Sequence, residues 1–353
     1  MAQVVLLSAT PPEDQTREHL APLQDLRESA ASDRFGVHRL TNDAASADVI
    51  LFVESYGGGW HFERVRRHPF TRRYTEKCFI FCSNPFVIPF LPGVYTGIDK
   101  RWQSRRVVPG FYLDVPKSRF TTFTPPTEGL PYLFSFMGSV GTAPVRRHLG
   151  QLAHPRGFFQ DTAADYDRAL HGKMDAREQQ DYQRRYAEVA KASKFVLCPR
   201  GLSVSSIRLY ETMRMGRAPV VLADGWVAPP GPAWEKFSIR VAERDWRRIP
   251  QILESREHEA LEMGERARAE WVEWFSREVA FHRVVESCLA IRDRRVVHER
   301  LARWPVYLQY LRPFHFRKLA GRLKTNARQL ISHTRPQPSA DAPPALPPQG
   351  SAR

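Results

Sequence analysis

The hydrophobic pattern of the chain consists of short, nearly continuous apolar runs, with little strict alternation. Val4–Leu7, Val49–Val53, Phe79–Phe81, Leu133–Phe136, Phe195–Cys198 and Val220–Leu222 are such runs, rich in β-branched and aromatic residues. Strands covered on both faces have this composition, and parallel sheets between helices are built from them. The intervening stretches leave room for helices or long loops. The pattern therefore predicts an α/β chain with doubly wound parallel sheets. A Pro/Thr-rich stretch, Thr121–Pro131, interrupts it, and a new strand, Tyr132–Gly138, follows. We divide the body there, into one Rossmann-like domain over 1–128 and a second over 129–290.

Beyond residue 290 the pattern changes. Phe316, Leu319, Ala320, Leu323, Ala327, Leu330 and Ile331 recur at helical spacing, with Arg317, Lys318, Arg322, Lys324 and Arg328 on other faces. Trp304, Tyr307, Tyr310 and Phe314 add aromatic residues upstream, broken by Pro305 and Pro313. A basic amphipathic helical segment is predicted over 291–333 and a disordered Pro-rich tail over 334–353. Two readings of the basic segment stay open: a helix lying on an anionic membrane surface, or a helix packed on the body with a solvated face.

Charge follows the same division. The formal net charge of the 353 residues is +15. Residues 291–353 hold 13 Lys/Arg against 3 Asp/Glu, which leaves only +5 on the rest. The body thus lacks the dense basic surface of a nucleic-acid binder, and no nucleic-acid partner is expected. No run of 18 apolar residues suggests a membrane span. Val4–Leu7 is too short for a signal sequence and reads as a first strand. Four cysteines, Cys78, Cys82, Cys198 and Cys288, are too few for a disulfide framework. The expected location is the cytoplasm, with peripheral attachment to the inner face of the membrane if the basic segment binds lipid.

Ser193–Val241 carries the most chemistry. Lys194–Cys198 reads as a buried strand, Pro199-Arg200-Gly201 as a turn, Leu202–Met215 as a helix ended by Gly216, and Arg217–Leu222 as the next strand. In this βαβ unit the helix start offers unpaired amides and the positive end of the macrodipole, which suits a phosphate group. Gly201 permits close backbone approach, Ser203, Ser205 and Ser206 supply hydroxyls, and Arg208 supplies charge. Glu211 lies ~9 Å along the axis from Ser205, about the span from a phosphate to a nucleotide's sugar. The competing reading makes the serines helix caps and Arg208–Glu211 a surface pair.

The run Lys194–Gly201, then Ser205-Ser-Ile-Arg-Leu-Tyr-Glu-Thr-Met-Arg-Met-Gly-Arg-Ala-Pro-Val-Val-Leu222, then Trp234–Val241, resembles the exostosin family of glycosyltransferases. Tyr132–Gly138 with Arg146 and Arg147 resembles it more weakly, and the N-terminal third only in outline. The resemblance implies GT-B architecture: two Rossmann-like domains facing a cleft, the C-terminal one binding a nucleotide-sugar donor and the N-terminal one a glycan acceptor. It also implies inversion at the anomeric carbon. Many GT-B enzymes hold the ribose with a Glu five residues before a helix-ending Gly, a spacing that Glu211 and Gly216 match. Retaining members often add an acid eight residues earlier, where this chain has Ser203. As an expectation, the chain carries no membrane anchor, secretory signal or second transferase domain of the eukaryotic members, and a heparan-type substrate is not carried over.

The donor-binding residues expected are thus Arg146, Gly201, Ser205, Ser206, Arg208 and Glu211, with Arg147 as an alternative to Arg146. An inverting transferase also needs a base for the acceptor proton. Glu54, which closes the Val49–Val53 run before Gly57–Gly59, is the candidate, with Asp114 and His61 behind it. No cofactor or metal is expected. Asp165-Tyr166-Asp167 reads as a solvated helix face, and Cys78 and Cys82 lack the second ligand pair of a zinc site. Trp226, Trp234 and Phe237 read as core or as pocket lining. The function expected is transfer of a hexosyl or glycuronosyl unit in surface or capsular polysaccharide synthesis. The rival is a non-catalytic module that binds a nucleotide or an anionic glycan.

Overall fold

The structure, a computed structural model, describes residues 1–14, 17–54, 62–84, 88–113, 119–313, 315–317, 319–321 and 323–324. Gly57–Gly59, His61, Asp114, Phe314, Ala327, Leu330, Ile331 and the tail 334–353 lie outside the described residues. Residues 1–303 form one compact body and 304–353 a second unit.

The body begins with β1 (Gln3–Leu7), α1 (Arg17–Ala31), β2 (Arg39–Leu40), β3 (Val49–Glu54), α2 (Glu63–Arg67), α3 (Pro69–Arg73), β4 (Cys78–Cys82), β5 (Gly93–Tyr95) and β6 (Val107–Pro109). These strands make one sheet in the order β2-β1-β3-β4-β5-β6, with every pair parallel. Next come β7 (Tyr132–Gly138), α4 (Pro144–Leu149), β8 (Gly157–Asp161), α5 (Ala163–Leu170), α6 (Ala176–Lys191), β9 (Ser193–Pro199), α7 (Ile207–Met215), β10 (Ala218–Leu222), β11 (Ile239–Arg240), α8 (Ile249–Ser255) and α9 (Ala260–Trp274). The second sheet has the order β11-β10-β9-β7-β8 and is likewise parallel. These are two parallel-sheet α/β, Rossmann-like units, as expected.

Each apolar run forms part of a strand. All residues of β3, β4 and β10 are buried, as strands covered on both faces must be. Five strands, β2, β5, β6, β8 and β11, lack such runs and were not expected. For β5 the reason is local. A Cβ on Gly93 would stand 2.0 Å from the Ile80 carbonyl oxygen, so β5 pairs with β4 only because this position is glycine.

Each sheet has one point where strand order reverses, between β1 and β3 in the first and between β7 and β9 in the second. Crevices for ligands open outside the carboxyl ends of strands at such points. One apolar core runs through both sheets, joining Phe81, Val94, Phe111 and Leu113 to Leu209, Tyr210, Trp234 and Phe275. Each fully buried Phe or Leu contributes about 1.5–3 kcal/mol, so this core holds the sheets together more than the polar ties between them do.

The boundary expected at 290 falls inside α10 (Arg277–Asp293), which packs on the first sheet, not the second. The cause is its apolar side: Phe281, Val284, Val285 and Cys288 are buried in the shared core. Ser29 of α1 adds a polar tie, donating to the Arg277 carbonyl and accepting from Phe281 N–H at 2.8 Å. Thr121–Pro131 links the units without helix or strand. Arg217, 2% exposed, holds it by donating to Thr124 O at 2.7 Å and to Lys191 O at 2.7 Å. In the second unit, Trp304–Leu311 is a 3-10 segment with Trp304, Leu308 and Leu311 exposed.

Candidate functional site

The site is built on the strand ends at the two reversal points. In the second sheet these are Gly138, closing β7, and Pro199, closing β9. The turn Pro199-Arg200-Gly201 is where expected, but the following helix is shorter. Residues 202–205 bend, and α7 begins only at Ile207 with extended Ser206 before it (φ −131°, ψ 127°). Serine side chains compete with the backbone for hydrogen bonds, and Ser203 Oγ accepts from Ser205 N–H at 3.4 Å. The helix ends as expected at Gly216, whose φ of 75° is the left-handed cap conformation that glycine adopts without strain.

Arg208 and Arg146 lie together behind this turn. Both are 9% exposed, and both guanidinium groups sit over the Phe136 ring, at 4.8 and 5.7 Å from its centre. Arg208 donates to the Met137 carbonyl at 2.5 Å, and its Nε is buried without a partner. Arg146 donates to the carbonyls of Arg200 (2.8 Å), Ser139 (3.1 Å) and Pro199 (3.2 Å). It therefore ties the end of β7 to the turn after β9. Burial, with the nearby Arg208 charge, pulls the Arg146 guanidinium down to about 9. Among the described residues no carboxylate pairs with either guanidinium. Two buried like charges without a counter-ion are a costly arrangement, and a bound anion would offset that cost.

Glu211 stands one turn beyond Arg208 on α7. Its Oε2 accepts from the Tyr186 hydroxyl at 2.8 Å, while the Tyr186 ring lies 5.6 Å from the Arg208 guanidinium. Burial, with Glu211 beside it, pushes the Tyr186 phenol well above its ordinary value, so it stays a donor. Glu211 is thus held at one oxygen and open at the other. Gly201 faces the same group: a Cβ there would lie 3.1 Å from Arg146 Nη2.

The structure groups Arg146, Gly201, Arg208 and Glu211 as expected but places the serines differently. Ser205 and Ser206 are 3% and 8% exposed. Ser206 borders a void, too small for water, between Cys198, Leu209, Val221 and Trp226. Exposed Leu202 and half-buried Val204, with Ser203 only 6% exposed between them, form one wall of a cleft of about 520 Å³. The opposite wall is Asp99-Lys100-Arg101, which follows β5 of the first sheet, and Asp224, Gly225 and Glu243 complete it. Lys100 N–H donates to Gly225 O across the cleft at 2.9 Å. Arg200 pairs with Glu243 at 2.8 Å, and Glu243 in turn bonds the backbone of Asp224.

Glu54 closes β3 at the reversal point of the first sheet and is 2% exposed. Its Oε1 accepts from Ala9 N–H at 2.6 Å and from the Ser8 hydroxyl at 3.1 Å, bridging the ends of β1 and β3. Asp165-Tyr166-Asp167 lies on α5, with Tyr166 and Asp167 exposed, as a solvated face should be. Arg147 is exposed on α4. Trp226, Trp234 and Phe237 are core residues, 3%, 8% and 0% exposed. Sequence reasoning missed Phe136, Tyr186 and Asp99–Arg101. Phe136 is hidden inside an apolar run, and Tyr186 lies on a helix whose spacing says only that one side is buried.

The sequence matches known proteins over the same region. Residues 103–256 match the family model of the exostosin GT47 domain. The exostosin-1 homolog of Caenorhabditis elegans is 42% identical over 82 residues, covering 22% of this chain and 22% of that protein. The probable glucuronoxylan glucuronosyltransferase IRX7 of Arabidopsis thaliana is 42% identical over 71 residues, covering 19% of this chain and 15% of that protein. The chain thus spans less than a quarter of the length of these relatives. Among solved structures, Anabaena HepE in complex with UDP aligns over 82% of this chain and all of that chain at 11% identity, with a TM-score of 0.37. Residues 103–256, which hold Arg146, Gly201, Arg208 and Glu211, are thus similar to the exostosin GT47 domain.

Proposed function

We propose that the protein moves a glycosyl unit from a nucleotide-sugar donor to a glycan acceptor, with inversion, in the synthesis of a surface or capsular polysaccharide. The observation that carries this reading is the pair of buried guanidinium groups, Arg146 and Arg208, at the strand reversal point of the second sheet, with no carboxylate partner among the described residues. A diphosphate is the anion that suits them. Arg208 would contact it through its idle Nε and meet the charge that develops as the nucleoside diphosphate departs. Arg146 would hold the turn 199–201 in place, and Glu211, steadied by Tyr186, would accept from ribose hydroxyls. Leaving-group charge is then met by side chains, with no metal at the diphosphate.

The acceptor enters from the first sheet. Glu54, at that sheet's own reversal point, is the base we assign to the acceptor hydroxyl. The donor is of hexosyl or glycuronosyl type. The protein works in the cytoplasm, attached to the inner face of the membrane through its basic C-terminal segment.

The test is a panel of nucleoside diphosphates and their sugars, read by thermal stabilisation, since a ligand that binds only the folded state raises its apparent stability. One nucleoside diphosphate should stabilise the protein, and Arg208→Ala should weaken that binding by about tenfold to a hundredfold while the circular dichroism stays unchanged. Equal binding by the variant would remove Arg208 from the donor site. Binding with neither donor hydrolysis nor transfer would point instead to a module that only binds.

A further inference from the structure

We propose that His38, His282 and Glu286 form a site for a divalent transition-metal ion of the zinc class, which clamps α10 to the first sheet. The site is separate from the donor cleft. His38 immediately precedes β2, at the amino end of a parallel sheet whose carboxyl ends face the cleft. His282 and Glu286 are one turn apart on α10, so both side chains share one face of the helix.

The donor atoms of the three residues lie within 4.8 Å of one another. The side chain of His38 is 1% exposed, and neither of its ring nitrogens has a hydrogen-bond partner. Nε2 stands 2.9 Å from Glu286 Oε1 but makes no hydrogen bond with it. His282 Nδ1 is likewise buried and unpartnered. A buried imidazole with both nitrogens idle is costly, and coordination would satisfy one of them. The His282 ring is fixed by stacking on Phe35 at 4.0 Å and 22°, and the two imidazoles are 4.9 Å apart. Zinc binds imidazole nitrogen at about 2.0–2.1 Å, which puts tetrahedral donors about 3.4 Å apart, a small adjustment from this arrangement.

Two imidazoles and one carboxylate favour zinc, cobalt or iron over magnesium or calcium, which take oxygen donors. The nearby cations, Arg34 and Arg283, both pair with Glu273, which offsets one of their two charges. An ion here would join the loop 33–38 of the first unit to the helix that arrives from the second. It would thereby fix the relation of the two sheets.

The full-length protein, stripped with a chelator and titrated with Zn²⁺ alone against a chromogenic competitor, should bind one equivalent, and Zn²⁺ should raise its melting temperature. Co²⁺ in its place should give the visible absorption of a tetrahedral nitrogen/oxygen site. His282→Ala and Glu286→Gln should each weaken Zn²⁺ binding by about tenfold or more. Because Glu286 is half exposed, the glutamine variant keeps the fold and decides the matter even if His282→Ala does not. Absence of a stoichiometric site, or unchanged affinity in Glu286→Gln, would reduce the cluster to a histidine–glutamate contact.

Discussion

Arg146 and Arg208 share one aromatic ring, yet they are held differently. Arg146 spends all three of its nitrogens on backbone carbonyls, whereas Arg208 spends one and leaves Nε idle. On the proposed function, ligand contact would therefore fall to Arg208, and Arg146 would act on ligand through the turn it holds. Glu54 presents the same question on the other sheet, because a carboxylate that bridges Ser8 and Ala9 is a structural tie whether or not it also takes a proton. Glu54→Gln separates the two roles. Glutamine keeps an oxygen for the Ala9 N–H, so the fold and the donor dissociation constant should hold. The acceptor proton then has nowhere to go, and kcat should fall by about 10²–10⁴-fold, the usual contribution of a general base. Unchanged kcat in steady-state transfer assays would leave Glu54 as a tie alone.

At the scale of elements, legibility tracks burial. β3, β4, β9 and β10 were readable because both faces are covered and their residues are apolar throughout or nearly so. β2 and β11, two residues each, and β5, three residues opened by Gly93, carry no pattern long enough to read. The grouping of the candidate site was half legible. Arg208, Glu211 and Gly216 announced themselves by spacing on one helix, whereas Tyr186 and Asp99–Arg101 reach the site through tertiary packing that no local pattern encodes. The opposite end of the second sheet shows a tie of the same kind. Glu257 joins Arg156, at the start of β8, to Lys194 of β9, at 2.5 and 2.8 Å. Hydrogen bonds from Arg156, then Lys194, hold its carboxyl at about 2, against an ordinary 4.5. The unfolded chain therefore binds more protons between these values, and the contribution is complete above about pH 4.5 and lost as pH falls through about 2. Discounted for a side chain 22% exposed, it amounts to about 1–2 kcal/mol. In urea titrations Glu257→Gln should be less stable than the parent by that amount at pH 6, with the gap closing on acidification. A gap independent of pH would mean that packing, not charge, is what the substitution removes.

For the whole molecule the decisive feature is where charge and exposed apolar surface coincide. Residues 304–353 carry eight Lys/Arg and one Asp, while Trp304, Leu308 and Leu311 are 68%, 65% and 73% exposed. No helix among the described residues is long and apolar enough to cross a bilayer. Attachment through this unit would therefore be interfacial, with aromatic and aliphatic side chains in the headgroup region and cations on anionic lipid. Each cation near such a surface adds about 1 kcal/mol at low salt, and the effect decays within a Debye length, about 8–10 Å at physiological ionic strength. The full chain should accordingly sediment with vesicles containing anionic lipid, much less with neutral ones, and should be released by added salt. Removing 304–353 should abolish sedimentation but leave donor binding intact, because Arg208 and its neighbours lie wholly within the body. Vesicle binding that survives the deletion, or that ignores salt, would place the membrane contact elsewhere and return this segment to the role of a packed, solvated appendage.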